Sequence, residues 1–242
     1  MPPTPFQLEP MLKRTWDLFR RHWLLFLAIH LTVSLPLGIL VGIVSTQVDP
    51  AENLLQFAMF SGVIGGIFSK VSHAAIFAAL SRAWSGTRPT YGHAWFVTMD
   101  RIGNIILANL CVFILSSGGF IMCILPGFVI AAALAFSLCA VMDEGHGAWM
   151  ALDRSVTLAR SRFLEVFGYL ALAFVPLYLG TAFVLAGIST IISVVAPVLD
   201  HWLLGAVLQA LITAPILFAV VFVFVMFKAL QSSSAPLRES SI

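Results

Sequence analysis

The stretch Ser61–Leu80 reads SGVIGGIFSKVSHAAIFAAL, and it is long and apolar enough to cross a lipid bilayer. It nevertheless carries Lys70 and His73 near its middle. Ionisable groups in hydrocarbon cost several kcal/mol unless they are paired, so they face the interior of a helix bundle or a wet cavity. The stretch therefore predicts a transmembrane helix with a polar face that the rest of the chain encloses.

The composition is also typical of a membrane protein. Hydrophobic residues make up 60% of the chain and charged residues only 10%, whereas about 25% of the residues in a soluble domain are charged. The apolar run after the first basic cluster is too long for a cleavable signal peptide, so the first span is expected to be retained. The three cysteines lie in apolar runs without paired spacing, and we predict no disulfide framework, no metal site and no cofactor.

We predict an all-α polytopic membrane protein with six transmembrane helices and amphipathic interfacial helices on the cytoplasmic face. The predicted spans are 23–48, 54–82, 102–122, 124–142, 164–188 and 203–228. The predicted interfacial helices are 11–22, 91–101 and 148–162. The domain division is a cytoplasmic lead-in with an interfacial helix at 1–22, a six-span domain at 23–230 and a flexible cytoplasmic tail at 231–242.

Each of the three interfacial segments carries apolar side chains on one side, which predicts one apolar face for each, and in the second segment this face comprises Trp95, Met99 and Ile102. These faces comprise Leu12, Trp16, Phe19 and Trp23 in the first, and Trp149, Leu152, Val156, Ala159 and Phe163 in the third. Arg154 is expected on the opposite, water-exposed face of the third segment.

The placement of the basic residues predicts the orientation. Of the 13 Lys and Arg residues, all but Lys70 lie before span one, between spans two and three, between spans four and five, after span six, or, for Arg82 and Lys228, at the last residue of span two or span six. Positive residues accumulate on the cytoplasmic side of membrane proteins. Both termini are therefore predicted to be cytoplasmic, and Lys70 is the exception that needs its own explanation.

Counting about 1.5 Å per residue from the cytoplasmic ends places several polar side chains at similar depths. The candidate intramembrane polar cluster comprises His30, Lys70, His73 and Asn109. Pro36 frees the carbonyl of Thr32 near the depth of Lys70, which offers a further acceptor. The cluster is either a binding site or ion-responsive site, or a structural set of interhelical hydrogen bonds with Lys70 turned toward the outer face.

Small residues four apart, Gly38 with Gly42 and Gly62 with Gly66, predict close packing of spans one and two. On the cytoplasmic face, basic residues either contact anionic lipid headgroups or only anchor the topology. The candidate headgroup-contacting residues are Arg14, Arg20, Arg21, Arg82, Arg101, Arg154, Arg160 and Arg162.

Common catalytic motifs are missing from the sequence: it has no G-x-S-x-G, H-E-x-x-H, P-loop or C-x-x-C pattern. Asp143, Glu144 and His146 lie close together and could hold a metal. We interpret them instead as a solvated turn between spans four and five.

Residues 125–168 carry a recognisable pattern. It comprises Leu125-Pro126-Gly127, Phe136, Glu144, Ala151-Leu152-Asp153-Arg154-Ser155, Leu158, Phe163 and Phe167. This pattern resembles the membrane domain of membrane-anchored glycerophosphoryl diester phosphodiesterases and of related uncharacterised six-span bacterial inner-membrane proteins. The resemblance implies a location in the bacterial cytoplasmic (inner) membrane. In those enzymes catalysis belongs to a separate soluble barrel, for which this chain leaves no room, so phosphodiesterase activity is not expected.

Three functions are compatible with these observations. The first is a non-enzymatic membrane protein that binds or helps move lipids or other amphiphiles around Lys70. The second is a scaffold, assembly factor or subunit of a larger membrane complex, and the third is a small transporter or channel. The expected partners are membrane lipids and either a membrane-protein partner or a second copy of the chain, with no nucleic acid.

Overall fold

The computed structural model describes residues 6–47, 54–195 and 216–234, and within these ranges it contains helices and no strands, which confirms the all-α class. The helices are α1 (Leu8–Gln47), α2 (Leu54–Trp84), α3 (Tyr91–Asp100), α4 (Ile102–Met122), α5 (Ile124–Ala133), α6 (Ser137–Cys139), α7 (Ala148–Arg160), α8 (Phe163–Val195) and α9 (Ile216–Ser234). A π-helical turn, Ala140–Glu144, follows α6.

Five segments of the described chain are long and apolar enough to cross a membrane. They are Leu8–Val41, Ile102–Met122, Ile124–Glu144, Phe163–Phe183 and Ile216–Ser233. The part of α2 that carries Lys70 is not among them. These segments indicate a membrane-embedded protein.

The first interfacial segment is not a separate helix, because α1 runs without a break from Leu8 to Gln47. Its buried residues are Met11, Thr15, Leu18, Phe26, Ile29 and His30. The predicted apolar face points elsewhere: the side chains of Trp16 and Trp23 are exposed. The prediction of a distinct helix ending at residue 22 was therefore wrong.

Helix α9 lies at the centre of the bundle. Its residues from Val220 to Phe227 are buried on every side of the helix, and an apolar helix that is buried all round occupies a core. The ring of Phe224 stacks on Phe77 of α2 at 6.0 Å between centroids. The helix continues to Ser234, so the chain is still helical beyond residue 231, where the flexible tail was predicted to begin.

Helices α4 and α5 form a tight hairpin whose close approach depends on two glycines. A Cβ atom on Gly119 would stand 2.9 Å from the Cα of Gly127, and one on Gly127 would stand 2.4 Å from the ring of Phe120. By contrast, a Cβ on Gly66 would meet no atom within 4 Å. The predicted close packing of α1 and α2 is therefore not found at Gly66, while Gly42 and Gly62 lie outside the residues whose side chains are described.

The predicted fourth span is interrupted between α5 and α6. The amide of Phe136 donates to the Ser155 hydroxyl at 3.0 Å, and that hydroxyl donates to the carbonyl of Ala133 at 2.7 Å. Both backbone groups would pair within a regular helix. The buried side chain of Ser155 on α7 therefore supplies hydrogen bonds to the two backbone groups that the break in the helix leaves unpaired.

The exposed face of α7 also differs from the prediction. Two residues of the predicted apolar face, Leu152 and Ala159, are buried, but Trp149 and Val156 of that face are exposed, and Ala151, Ser155 and Leu158 are buried in addition. A membrane protein exposes apolar side chains to lipid as well as burying them in its interior. The spacing of apolar residues therefore located the helix but not its packed side.

Candidate functional site

Three of the predicted cluster residues line one cavity of about 240 Å³ between the helices, which we call the polar cavity. Lys70 and His73 reach it from α2, where their spacing of three residues places them on the same face. Asn109 reaches it from α4. The remaining wall is largely apolar and includes Phe77, Val112, Phe174, Ile216, Val220 and Val223.

Three polar side chains of this cavity have no hydrogen-bond partner among the described residues. Across the described ranges, no residue forms a hydrogen bond or an ion pair with the side chains of Lys70, His73 or Asn109. Ser137, which also lines the cavity, directs its hydroxyl to the carbonyl of Leu134 at 2.8 Å. The cavity thus presents one ammonium group, one imidazole and one amide that are available to a ligand.

His30 packs against α2 at Ser72, the residue before His73, but does not line the polar cavity. It is buried between α1 and α2, where its Nδ1 is 3.5 Å from the hydroxyl of Ser72. Its ring does not line the polar cavity. The structure therefore brings together Lys70, His73 and Asn109, whereas His30 of α1 packs against another face of α2.

Thr32 and Pro36 do not belong to the polar cavity either. Both line a different pocket, together with Phe68 and Trp95. The Thr32 hydroxyl donates to the carbonyl of Ala28 at 2.7 Å and lies 2.8 Å from the hydroxyl of Tyr91. The prediction that this turn of α1 supplies an acceptor to Lys70 was wrong, because depth along a helix does not fix the side on which a group lies.

Several candidate headgroup residues are engaged within the protein. Arg101 donates to the carbonyls of Val141 and Met142 at 2.7 and 3.0 Å. The guanidinium of Arg14 stands 5.2 Å from the ring centre of Trp84. That of Arg162 stands 5.3 Å from the ring of Phe6 and pairs with Glu165.

The other candidates are Arg20, Arg21, Arg82, Arg154 and Arg160. Arg20, Arg21 and Arg160 are exposed and Arg82 is half-buried, while Arg154 forms an ion pair. Arg21 lines a surface groove of about 510 Å³ with Arg88, Trp23 and Tyr91. Arg88 was missed, although its place in the polar turn after the second span was a signal that could have found it.

The turn after the fourth span carries a buried ionic network instead of a solvated loop. Asp143 accepts from Lys228 at 2.5 Å and from the Ser81 hydroxyl at 2.7 Å. Only 8% of the Asp143 side chain is exposed, which makes the interpretation as a solvated turn wrong. The network joins the π-helical turn to α2 and α9.

Glu144 extends this network toward α7. It accepts from Arg154 Nε at 3.1 Å and from Gln231 Nε2 at 2.5 Å, and one of its oxygens lies 2.9 Å from His146 Nε2. Its oxygens are thus occupied by donors, and no metal-binding group of His, Cys, Asp and Glu occurs among the described residues. Glu144 therefore links the π-helical turn to α7 and α9.

Several residues that carry the family resemblance form structural contacts within the helix bundle. Gly127 permits the α4–α5 hairpin, Ser155 bridges the break after α5, and Arg154 pairs with Glu144. Each of these roles concerns how the bundle is held together. In comparisons with protein-family models, curated proteins and solved structures, no match to this chain was found.

Proposed function

We propose that this chain is a non-enzymatic integral membrane protein that binds, or helps move, lipids or other amphiphiles through the polar cavity. The observation that carries this proposal is the position of Lys70 on the wall of an interhelical cavity, where it is exposed and has no described carboxylate beside it. A cation in low-dielectric surroundings is costly without a counter-charge. An anionic head entering the cavity would supply that charge and the hydrogen-bond acceptors.

The apolar walls of the polar cavity match the apolar part of an amphiphile. Ligand sites combine mainly apolar walls with a few polar groups that fix orientation. The polar cavity has this composition, with Lys70, His73 and Asn109 set among aliphatic and aromatic side chains. An amphiphile therefore matches the cavity better than a small hydrophilic solute does.

The proposal includes a six-span topology in the bacterial inner membrane with both termini in the cytoplasm. In support, α2 has 31 residues, enough to cross a core of about 30 Å. The contacts among Ser81, Asp143 and Lys228 gather the ends of α2, the π-helical turn and α9 at one end of the bundle. Arg101 and Arg154 lie at the same end, as the predicted cytoplasmic boundary requires.

Native mass spectrometry of protein extracted in mild detergent tests the proposal. We expect the wild-type chain to retain an amphiphile from the host membrane, and Lys70→Met to retain about tenfold less, since a charge-assisted contact is worth at least 1.4 kcal/mol, or about a factor of ten. Lys70→Arg keeps the charge and should restore most of the retention.

Lys13→Met is the matched control, because the side chain of Lys13 is 74% exposed and pairs with Glu9 on the surface. It should leave retention unchanged. A wild-type protein that is free of amphiphiles would contradict the proposal. Equal retention by the wild type and by a folded Lys70→Met variant would contradict it as well.

A further inference from the structure

A second cavity adjoins the polar cavity and has a different character. It measures about 380 Å³ and lies between α5 and α8. All of its lining residues are apolar, and they include Phe128, Phe167, Leu170 and Ala171. We call it the apolar groove.

The apolar groove and the polar cavity share three lining residues: Ala131, Ala135 and Phe174. The two spaces are therefore adjacent, with a polar end at Lys70 and an apolar end between α5 and α8. An amphiphile has the same two-part form. One molecule can place its head in the polar cavity and its chain in the apolar groove.

The outer rim of the groove lies at the surface of the bundle. The side chains of Phe128 and Val175 are 50% and 53% exposed. They belong to segments that are apolar and long enough to span the membrane. A ligand can therefore enter sideways from the hydrocarbon, without crossing the aqueous phase.

The charge and the size of the site restrict the class of ligand that it can bind. Lys70 is the one Lys, Arg, Asp or Glu among the described residues that line either cavity, and its ammonium form matches a head with a single negative charge. The apolar groove beside it matches a single chain. We infer that the ligand is a long-chain carboxylate, whose carboxylate binds Lys70, His73 and Asn109 and whose alkyl chain lies along the groove between α5 and α8.

This inference rests on the proposed function and names the ligand class for the same site. It also assigns a role to Phe174, which borders both spaces and would contact the chain near its head. The hydrophobic contribution of the chain is expected to be large, about 0.8 kcal/mol for each buried methylene group. Head and chain should both be necessary for tight binding.

The test measures binding of three probes to the delipidated full-length protein in a non-ionic detergent. The probes are palmitate, hexadecanol, which has the chain without the charge, and a diacyl phosphatidylglycerol, which has a charge and two chains. We expect one palmitate per chain and at least about tenfold weaker binding of the other two, the loss that follows when one charged contact or the fit of one chain is removed.

Ala171→Phe fills the groove without touching Lys70, and it should weaken palmitate binding about tenfold, because the chain loses buried apolar area. Leu172→Phe is the matched control, since Leu172 is 55% exposed and does not line the groove. Its palmitate affinity should equal that of the wild type. Melting temperatures in detergent show whether both variants are folded.

The outcomes separate this inference from the proposed function. Tighter binding of phosphatidylglycerol than of palmitate, lost in Lys70→Met, would overturn the carboxylate inference and leave the proposed function intact. Equal affinity of Ala171→Phe and wild type for palmitate would overturn the placement of the chain. No binding of any probe, together with no amphiphile retained from membranes, would overturn both.

Discussion

We expect Asp143→Asn to lower the free energy of unfolding by about 3–5 kcal/mol, which is the usual cost of removing one partner of a buried ion pair. The substitution keeps the shape of the side chain but removes the charge that faces Lys228 at 2.5 Å. Only 16% of the Lys228 side chain is exposed, so water cannot replace the lost carboxylate fully. Denaturant titration in mixed micelles measures the loss.

A double-mutant cycle isolates the interaction itself. Lys228→Met should also destabilise the protein, while the double variant Asp143→Asn/Lys228→Met should lose less than the sum of the two single losses, because neither charge is then left buried alone. Strictly additive losses would show that the two residues act independently.

Glu9→Gln is the matched control for an ion pair on the surface. Glu9 and Lys13 lie 2.6 Å apart, but their side chains are 78% and 74% exposed. Surface pairs contribute about 0–1 kcal/mol. A loss for Asp143→Asn no larger than that for Glu9→Gln would mean that the buried network does not hold the helix ends together.

We expect Ser155→Ala to lower the free energy of unfolding by about 2–4 kcal/mol, because two backbone groups lose their partner at once, at about 1–3 kcal/mol for each buried unsatisfied group. The amide of Phe136 would lose its acceptor and the carbonyl of Ala133 its donor. Ser155 is fully buried, so water has little access to the vacated position. Thermal unfolding in detergent, followed by circular dichroism, measures the effect.

Ser161→Ala is its control on the same side of the molecule. The Ser161 hydroxyl donates at 2.8 Å to the carbonyl of Leu158, three residues earlier, and forms no hydrogen bond with the described residues of α5. We expect a change below about 0.5 kcal/mol, as for most substitutions away from tertiary contacts. A Ser155→Ala variant as stable as Ser161→Ala would refute the bridging role.

The elements were largely predictable from apolar run lengths, as α4 shows by beginning and ending at the predicted residues 102 and 122. The packed faces were not. In a soluble protein an apolar stripe marks the side of a helix that faces the interior. In a membrane protein apolar side chains also cover the lipid-facing surface, and Trp16, Trp23 and Trp149 are exposed. Periodicity cannot tell these two surroundings apart.

The candidate site was predictable in part, for a related reason. Counting residues along helices gave depth, and depth brought Lys70, His73 and Asn109 to one level. It did not give rotation about the helix axis, and His30 contacts Ser72 of α2 instead of lining the polar cavity. The pairing of Asp143 with Lys228 was missed because it depends on α9 packing against the turn after α6, which no local pattern records.

Photolabelling in membranes tests the central claim, that the polar cavity rather than the lipid-facing surface holds the amphiphile. The probes are a fatty acid and a phospholipid, each with a diazirine close to its head. We predict that at least one of them labels His73, Asn109 or Val112, which line the cavity, and that Lys70→Met removes this labelling. Labelling by both probes confined to the exposed neighbours Phe113, Ile114 and Leu115, and unchanged in Lys70→Met, would contradict the claim.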